Sequence, residues 1–132
     1  MKQYLEQMIV GKKLTAFREE EGQLPEFVFE DTSIFIFGHW RILNEEGIVT
    51  GSDTRPENKL KWLTVSKVIG SQCDSADVDE RTMDLTLSLS SSCCLHICAF
   101  SYEYEVYNII HEDGSMLIGG PSDSWSAFGP RD

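Results

Sequence analysis

The chain is poor in bases. Acids outnumber them 22 to 11 over 132 residues, for a formal charge of -11. Binding of nucleic acid requires lysines and arginines to neutralise phosphates, so no DNA or RNA partner is expected. An anionic membrane surface is disfavoured for the same reason. Long apolar runs are also missing, and nothing approaches the ~18 residues of a membrane-spanning helix. The opening MKQYLEQMIVGKKL is charged in its first turns, so no secretory leader is expected. Cysteine is limited to Cys73, Cys93, Cys94 and Cys98, which form no spaced framework. Adjacent Cys93 and Cys94 make a poor disulfide pair. Free, mostly buried thiols in a cytoplasmic protein are the expectation. Signatures of the forms GxGxxG, GxxxxGK, GxSxG and HExxH are absent. Paired carboxylates lie in polar loops, where burial cannot tune them. No cofactor and no metal are expected, and a catalytic role is disfavoured.

What is present is a repetition. WRILNEEG runs from Trp40 to Gly47, and YNIIHEDG from Tyr107 to Gly114. Each reads as a β-hairpin, with aliphatic residues flanking a polar turn that ends in glycine. Upstream, FVFEDTSIFIF (Phe27 to Phe37) aligns without gaps on LSLSSSCCLHI (Leu87 to Ile97). Both alternate with period two on either side of a short polar turn. This alignment sets Cys94 and His96 on Ile34 and Ile36. Further back, GKKLTAF and VSKVIGS each read as the start of a strand. Before them lie two short helices: QYLEQMI, with Leu5, Met8 and Ile9 at helical spacing, and KLKWL, with Leu60 and Leu63. Thr54, Arg55, Pro56 and Glu57 fit a capping box with proline in the first turn.

The expectation is therefore one α+β domain over 1–132, mainly antiparallel β with two short helices. A tandem duplication, 1–54 and 55–123, would pack around a pseudo-two-fold axis, followed by a tail over 124–132. The tail, GGPSDSWSAFGPRD, holds Trp125 and Phe128, which should fold back against the sheet.

Acids crowd the first hairpin tip of each half. Glu19, Glu20 and Glu21 occupy one, and Asp74, Asp77, Asp79, Glu80 and Asp84 surround the other. Such tips are either solvated loops that discourage edge pairing or steering groups for a basic partner. A calcium loop in ADVDERTMD lacks the required glycine bend. In Cys94-Leu95-His96-Ile97-Cys98, alternate residues share a strand face. The outer cysteines would stand roughly 13 Å apart on a strand, too far to share a zinc ion. A Cys94–His96 nucleophile pair lacks nearby bases. Trp40 is read as packing, with partner contact as its functional alternative.

The pattern GKKL, then F-x-FED-x-S-x-F-I-F, then HWRI resembles small bacterial domains, some suspected to be immunity proteins of polymorphic toxin systems. The resemblance implies a non-enzymatic protein that binds a toxin domain and blocks it. The leading expectation is thus a protein-binding module for a basic partner, using Glu19, Glu20, Glu21, Asp74, Asp77, Asp79 and Glu80, with Trp40 as anchor. The alternative is a small-ligand or enzymatic cleft between the halves, lined by His39, Arg41 and His111 beside Trp40. A homodimer through an exposed strand edge is the third.

Overall fold

The computed structural model describes residues 1–52, 59–99, 106–120 and 125–130. The expected capping box and the expected boundaries after residues 54 and 123 lie outside the described residues. The elements in chain order are α1 (Lys2–Ile9), β1 (Leu14–Arg18), β2 (Glu26–Phe29), β3 (Thr32–Ile36), β4 (His39–Asn44) and β5 (Gly47–Gly51). There follow α2 (Lys59–Val68), β6 (Cys73–Val78), β7 (Leu85–Leu89), β8 (Cys94–Cys98), β9 (Tyr107–His111), β10 (Met116–Gly119) and β11 (Trp125–Phe128). The fold is α+β and its strands pair antiparallel, in line with the period-two alternation.

Sheet one has the order β1-β2-β3-β9-β10-β11, and sheet two β5-β4-β8-β7-β6. Each part of the chain therefore gives strands to both sheets. In sheet one Ile34 stands opposite Ile109 and Ile36 opposite Tyr107. In sheet two Leu95 stands opposite Ile42 and Ile97 opposite Trp40. Trp40 and Tyr107, the aromatics that open the repeated phrase, hold corresponding places, and both are fully buried.

The sheets join where β1 and β6 begin, through an antiparallel bridge between Lys13 and Gln72. Gly11 N–H donates to the Cys73 carbonyl at 2.8 Å, and Gly70 N–H to the Leu14 carbonyl at 2.7 Å. Leu14 N–H donates to Ser71 and Cys73 N–H to Lys12, each at 2.8 Å. Every bond thus has a counterpart with the two parts exchanged. Gly11 and Gly70 have φ of +89° and +94°, the left-handed conformation that stops a helix at low cost in glycine. Outward from this junction the strand order is the same in both directions, β1-β2-β3-β9-β10 and β6-β7-β8-β4-β5, and among the described residues β11 has no counterpart.

Two local expectations are corrected. VSKVIGS is not the start of a strand: α2 continues through Val68, buries Val65 and Val68, and the strand begins at Cys73. In that helix Leu63 is 58% exposed, whereas Lys61 is buried. The gapless alignment also slips by one residue. Phe27 pairs with Ile34, but Leu87 pairs with Leu95, because the second turn is longer. Ile34 and Ile36 therefore correspond to Leu95 and Ile97. Cys94 and His96 face the other side, since a one-residue shift inverts every side chain of a strand.

The core between the sheets centres on rings. Phe17 lies 4.6 Å from Phe27 and 5.1 Å from Trp40, and Phe27 meets Trp40 nearly edge-on at 5.1 Å, centroid to centroid. Lys61 enters this core from α2. Its side chain is 1% exposed, its Nζ donates to Glu19 Oε1 at 2.6 Å, and it lies 5.3 Å from the Trp40 ring centroid. Glu19 and Trp40 replace part of the water that an ammonium loses on burial.

Glu19→Ala should cost about 3 kcal/mol in chemical denaturation, because buried Lys61 loses a counter-charge. The double variant Glu19→Leu, Lys61→Met should recover most of that loss. A second test concerns Gly119, which pairs with Tyr107, whose ring lies where a Cβ at 119 would stand. Gly119→Ala should destabilise by about 1–3 kcal/mol, and Tyr107→Leu in the same chain should relieve the clash.

Candidate functional site

Several tip acids have counter-charges within the molecule, although Asp77, Asp79 and Glu80 stay exposed. Glu19 is turned inward on Lys61. Asp77 pairs with Lys2 at 2.7 Å, and Asp79 with Arg81 at 3.4 Å. Glu80 lies 3.5 Å from the Met1 amine, and Asp84 accepts from the Ala99 N–H at 2.7 Å. Glu20, Glu21 and Asp74 are exposed. Trp40 cannot anchor a partner, because it is fully buried among Phe17, Phe27 and Lys61. Of the expected steering set, Glu19 is turned inward, Asp77, Asp79 and Glu80 are exposed beside intramolecular counter-charges, and Glu20, Glu21 and Asp74 are exposed.

The residues of the alternative cleft are not brought together. His39 shares a hydrogen bond with Ser52 at 3.1 Å. Arg41 is exposed and stands opposite His96 in the β4–β8 ladder. His111 belongs to a different cluster in sheet one. The cysteine strand has a Cys–His contact, but through Cys98: its Sγ lies 3.7 Å from His96 Nδ1, and His96 Nε2 lies 3.7 Å from Asp84 Oδ2. Burial pushes the Cys98 thiol above its ordinary value, which opposes a resting thiolate nucleophile. Among the described residues no group of three or more His, Cys, Asp or Glu side chains could hold a metal ion.

A surface cavity lies where α1 meets β10 and β11. Tyr4, Met8, Met116 and Phe128 line a cavity of about 390 Å³, with Gln7 and Ser115 at its polar side. A second hollow of about 450 Å³ adjoins it at Met116, Ile118 and Phe128. β11 forms one wall. It is held by its ladder to β10, with Met116 opposite Phe128 and Gly119 opposite Trp125. The Trp125 ring lies 5.8 Å from that of Tyr4. The tail thus folds back as a strand, but its rings are not buried: Trp125 is 38% and Phe128 58% exposed. α1 covers this edge strand only in part, through Tyr4.

The groove continues into a charged network. Lys12, His111 and Asp113 line a hollow of about 230 Å³ that shares Gln7, Met8 and Ser115 with the apolar cavity. Lys12 Nζ donates to Asp31 Oδ1 at 2.6 Å and to Thr32 Oγ1 at 2.8 Å. His111 Nε2 lies 3.0 Å from Asp31 Oδ2, and Nδ1 lies 2.9 Å from Asp113 Oδ1. Neutral His111 can donate from Nε2 to Asp31 while Nδ1 accepts the Asp113 N–H at 3.1 Å. Protonation adds a second donor, toward the Asp113 carboxylate. The Lys12 hydrogen bond lowers Asp31 to about 2, with His111 adding to the effect. Asp113, followed by Asp31, raises His111, and hydrogen bonds from Ser115 hold Asp113 down. Beyond them Glu30 and Glu112 complete an acidic rim around a further hollow of about 480 Å³.

Of this site the sequence singled out His111, Trp125 and Phe128. Lys12, Asp31, Tyr4, Met8 and Met116 were missed. The DG turn at Asp113–Gly114 fixes the hairpin, but no local signal pairs residue 111 with residue 31.

The network sets a pH dependence. His111 is raised when folded, so its contribution is complete below the ordinary value of 6.5 and is lost as pH rises through the folded value. Asp31 is lowered, so its contribution is present above 3.8 and is lost as pH falls toward about 2. Stability should therefore decline on the alkaline side of 6.5, and His111→Asn should flatten that limb. Urea titrations at stepped pH would measure it. An unchanged limb would remove His111 from the account.

Comparison of the chain with known protein families, with curated proteins and with solved structures finds no match.

Proposed function

We propose that this chain is a non-enzymatic, cytosolic protein-binding module that takes a basic partner in the groove between α1 and β11. One observation carries the reading: exposed Tyr4, Phe128 and Trp125, with Met8 and Met116, stand beside an acidic rim of Asp113, Glu112 and Glu30. Aromatic and methionine side chains are enriched at protein interfaces, where a few buried anchors dominate the energy. The carboxylates would favour a lysine or arginine flanking the anchor and, with a net charge of -11, would speed its approach. The exposed Glu20, Glu21 and Asp74 add to that long-range field rather than to the contact.

Inhibition of a basic toxin domain, the role implied by the resemblance to immunity proteins, is one form of this activity. The four cysteines are free thiols, which supports a reducing compartment. No helix among the described residues is long and apolar enough to cross a membrane.

The test is retention from host lysate on immobilised wild-type protein and on Phe128→Asp, a change on an exposed side chain. A basic protein held by the wild type should bind the variant about thirtyfold more weakly. Equal retention by both would move the contact away from the groove, and clean flow-through from both would reject the reading.

A further inference from the structure

The outer strands of a sheet are usually blunted against further pairing by charges, bulges or a covering element. Here the outer strands are β1, β5, β6 and β11. β1 carries Arg18 and a bulge between Leu14 and Ala16. β6 carries Asp74, Asp77 and a bulge between Cys73 and Ser75. β5 is bulged opposite Ile42 and Leu43, and α2 packs against it. β11 has none of these devices. Its residues, Trp125, Ser126, Ala127 and Phe128, include no charge and no proline, and its register with β10 runs unbroken. All four are exposed.

The hydrogen bonds of sheet one fix what β11 offers at its outer side. Along an antiparallel ladder, successive residues turn their N–H and C=O groups alternately to one neighbour and to the other. His111 N–H donates to the Ser115 carbonyl at 2.9 Å and Val106 N–H to the Gly119 carbonyl at 2.7 Å, so Ser115, Leu117 and Gly119 turn theirs to β9. Met116 and Ile118 therefore turn theirs to β11, where they meet Phe128 and Ser126. The N–H and C=O groups of Trp125 and Ala127 point away from the sheet. Among the described residues nothing pairs with that side of β11.

The side chains of an added strand would meet a hollow on each side. Trp125 and Ala127 stand opposite Gly119 and Leu117, on the side where Tyr4 of α1 meets the Trp125 ring. That side holds the cavity of Tyr4, Gln7 and Met8, which runs on to Asp113. Ser126 and Phe128 face the other side, with the hollow at Met116 and Ile118. Alternate side chains of one extended segment can enter both. The α1 side suits a lysine or arginine that reaches Asp113, and the other side an aliphatic residue. Charge selects the occupant: a second copy would bring another net charge of -11, whereas a basic segment meets the acidic rim.

We infer that β11 takes an extended segment of the basic partner as a further strand of sheet one, held by the outward backbone groups of Trp125 and Ala127. The segment is the part of that partner seated in the groove, so this rests on the reading above. Main-chain pairing supplies the affinity, and the two hollows select among side chains.

Random linear peptides displayed on phage, selected on the immobilised full chain and then assayed as free peptides, test this. Enriched sequences should combine Lys or Arg with β-branched residues. In the free protein the amides of Ser126 and Phe128 should exchange with solvent slowly and those of Trp125 and Ala127 quickly. A bound peptide should slow the second pair at least about tenfold in hydrogen-exchange NMR. Ala127→Pro removes an outward N–H and no ladder bond, a place where an edge strand tolerates proline. It should weaken peptide binding at least about tenfold, because a hydrogen bond is lost and the ring crowds the added strand. The exchange measurement uses the unaltered chain, so it decides the matter even if that variant misfolds. Peptides that bind while Trp125 and Ala127 still exchange quickly would overturn strand addition and leave the groove as a side-chain contact. Enrichment of no peptide would overturn it too, without touching the retention of a basic protein from lysate. Enriched peptides without Lys or Arg, or a wild-type dimer that Ala127→Pro dissolves, would give the edge to another occupant.

Discussion

The structure depends on strand exchange across the β3–β9 and β4–β8 ladders. Neither part of the chain can close a core alone. The first supplies β1, β2 and β3 to sheet one but sends β4 and β5 to sheet two, and the second does the reverse. Trp40 is therefore buried opposite Ile97, and Tyr107 opposite Ile36, each beside a strand from the other part. The other described ladders join consecutive strands, so these two carry the long-range pairing on which closure depends. Loop-closure entropy is spent before those contacts return anything, which favours slow, cooperative folding of the whole chain.

The same exchange explains the acidic tips. The connection after β1 reaches α2, and the connection after β6 reaches the start of α1. Glu19 meets Lys61 beside Trp40, and Glu80 approaches the Met1 amine while the Met1 sulfur lies 3.8 Å from the Tyr107 hydroxyl. In both places a tip carboxylate faces an amine at the start of a helix, next to the aromatic of the repeated phrase. The two ion pairs differ in weight. Glu80 is 63% exposed, so water screens its contact, whereas Lys61 is buried at 1% and Glu19 is only 15% exposed. Removing one buried partner is costly, while replacing both by apolar groups need not be.

The two outer strands then diverge. β11 covers the edge of β10 but adds exposed rings, which turns a protected edge into one wall of a groove. β5 turns Ile48 and Val49 to solvent at a bulge. Among the described residues the charge network of Lys12, Asp31, His111 and Asp113 has no equivalent at the β4–β5 turn. At the place corresponding to His111, Asn44 accepts the Glu46 N–H at 2.8 Å, the same turn contact without the titratable ring. One architecture thus presents chemically different surfaces at its two ends.

Much of this was legible in the sequence. Period-two alternation marked β2, β3, β7 and β8, and NEEG and HEDG marked both hairpins, because backbone turns and strand faces are written in local residue order. The class followed from these elements. The start of β6 was misread, since Val65 and Val68 suit a strand by propensity and a helix by packing, and only the partner surface chooses. The alignment of Cys94 with Ile34 failed because one added turn residue inverts a strand. Burial of Lys61, the inward turn of Glu19 and the meeting of Asp31 with His111 could not be read at all. They join residues far apart in the chain, and their free energy exists only once the sheets have closed around them. The sequence by itself determined the strands and turns; the exchange of strands between sheets decided which charges are neutralised and which rings are buried.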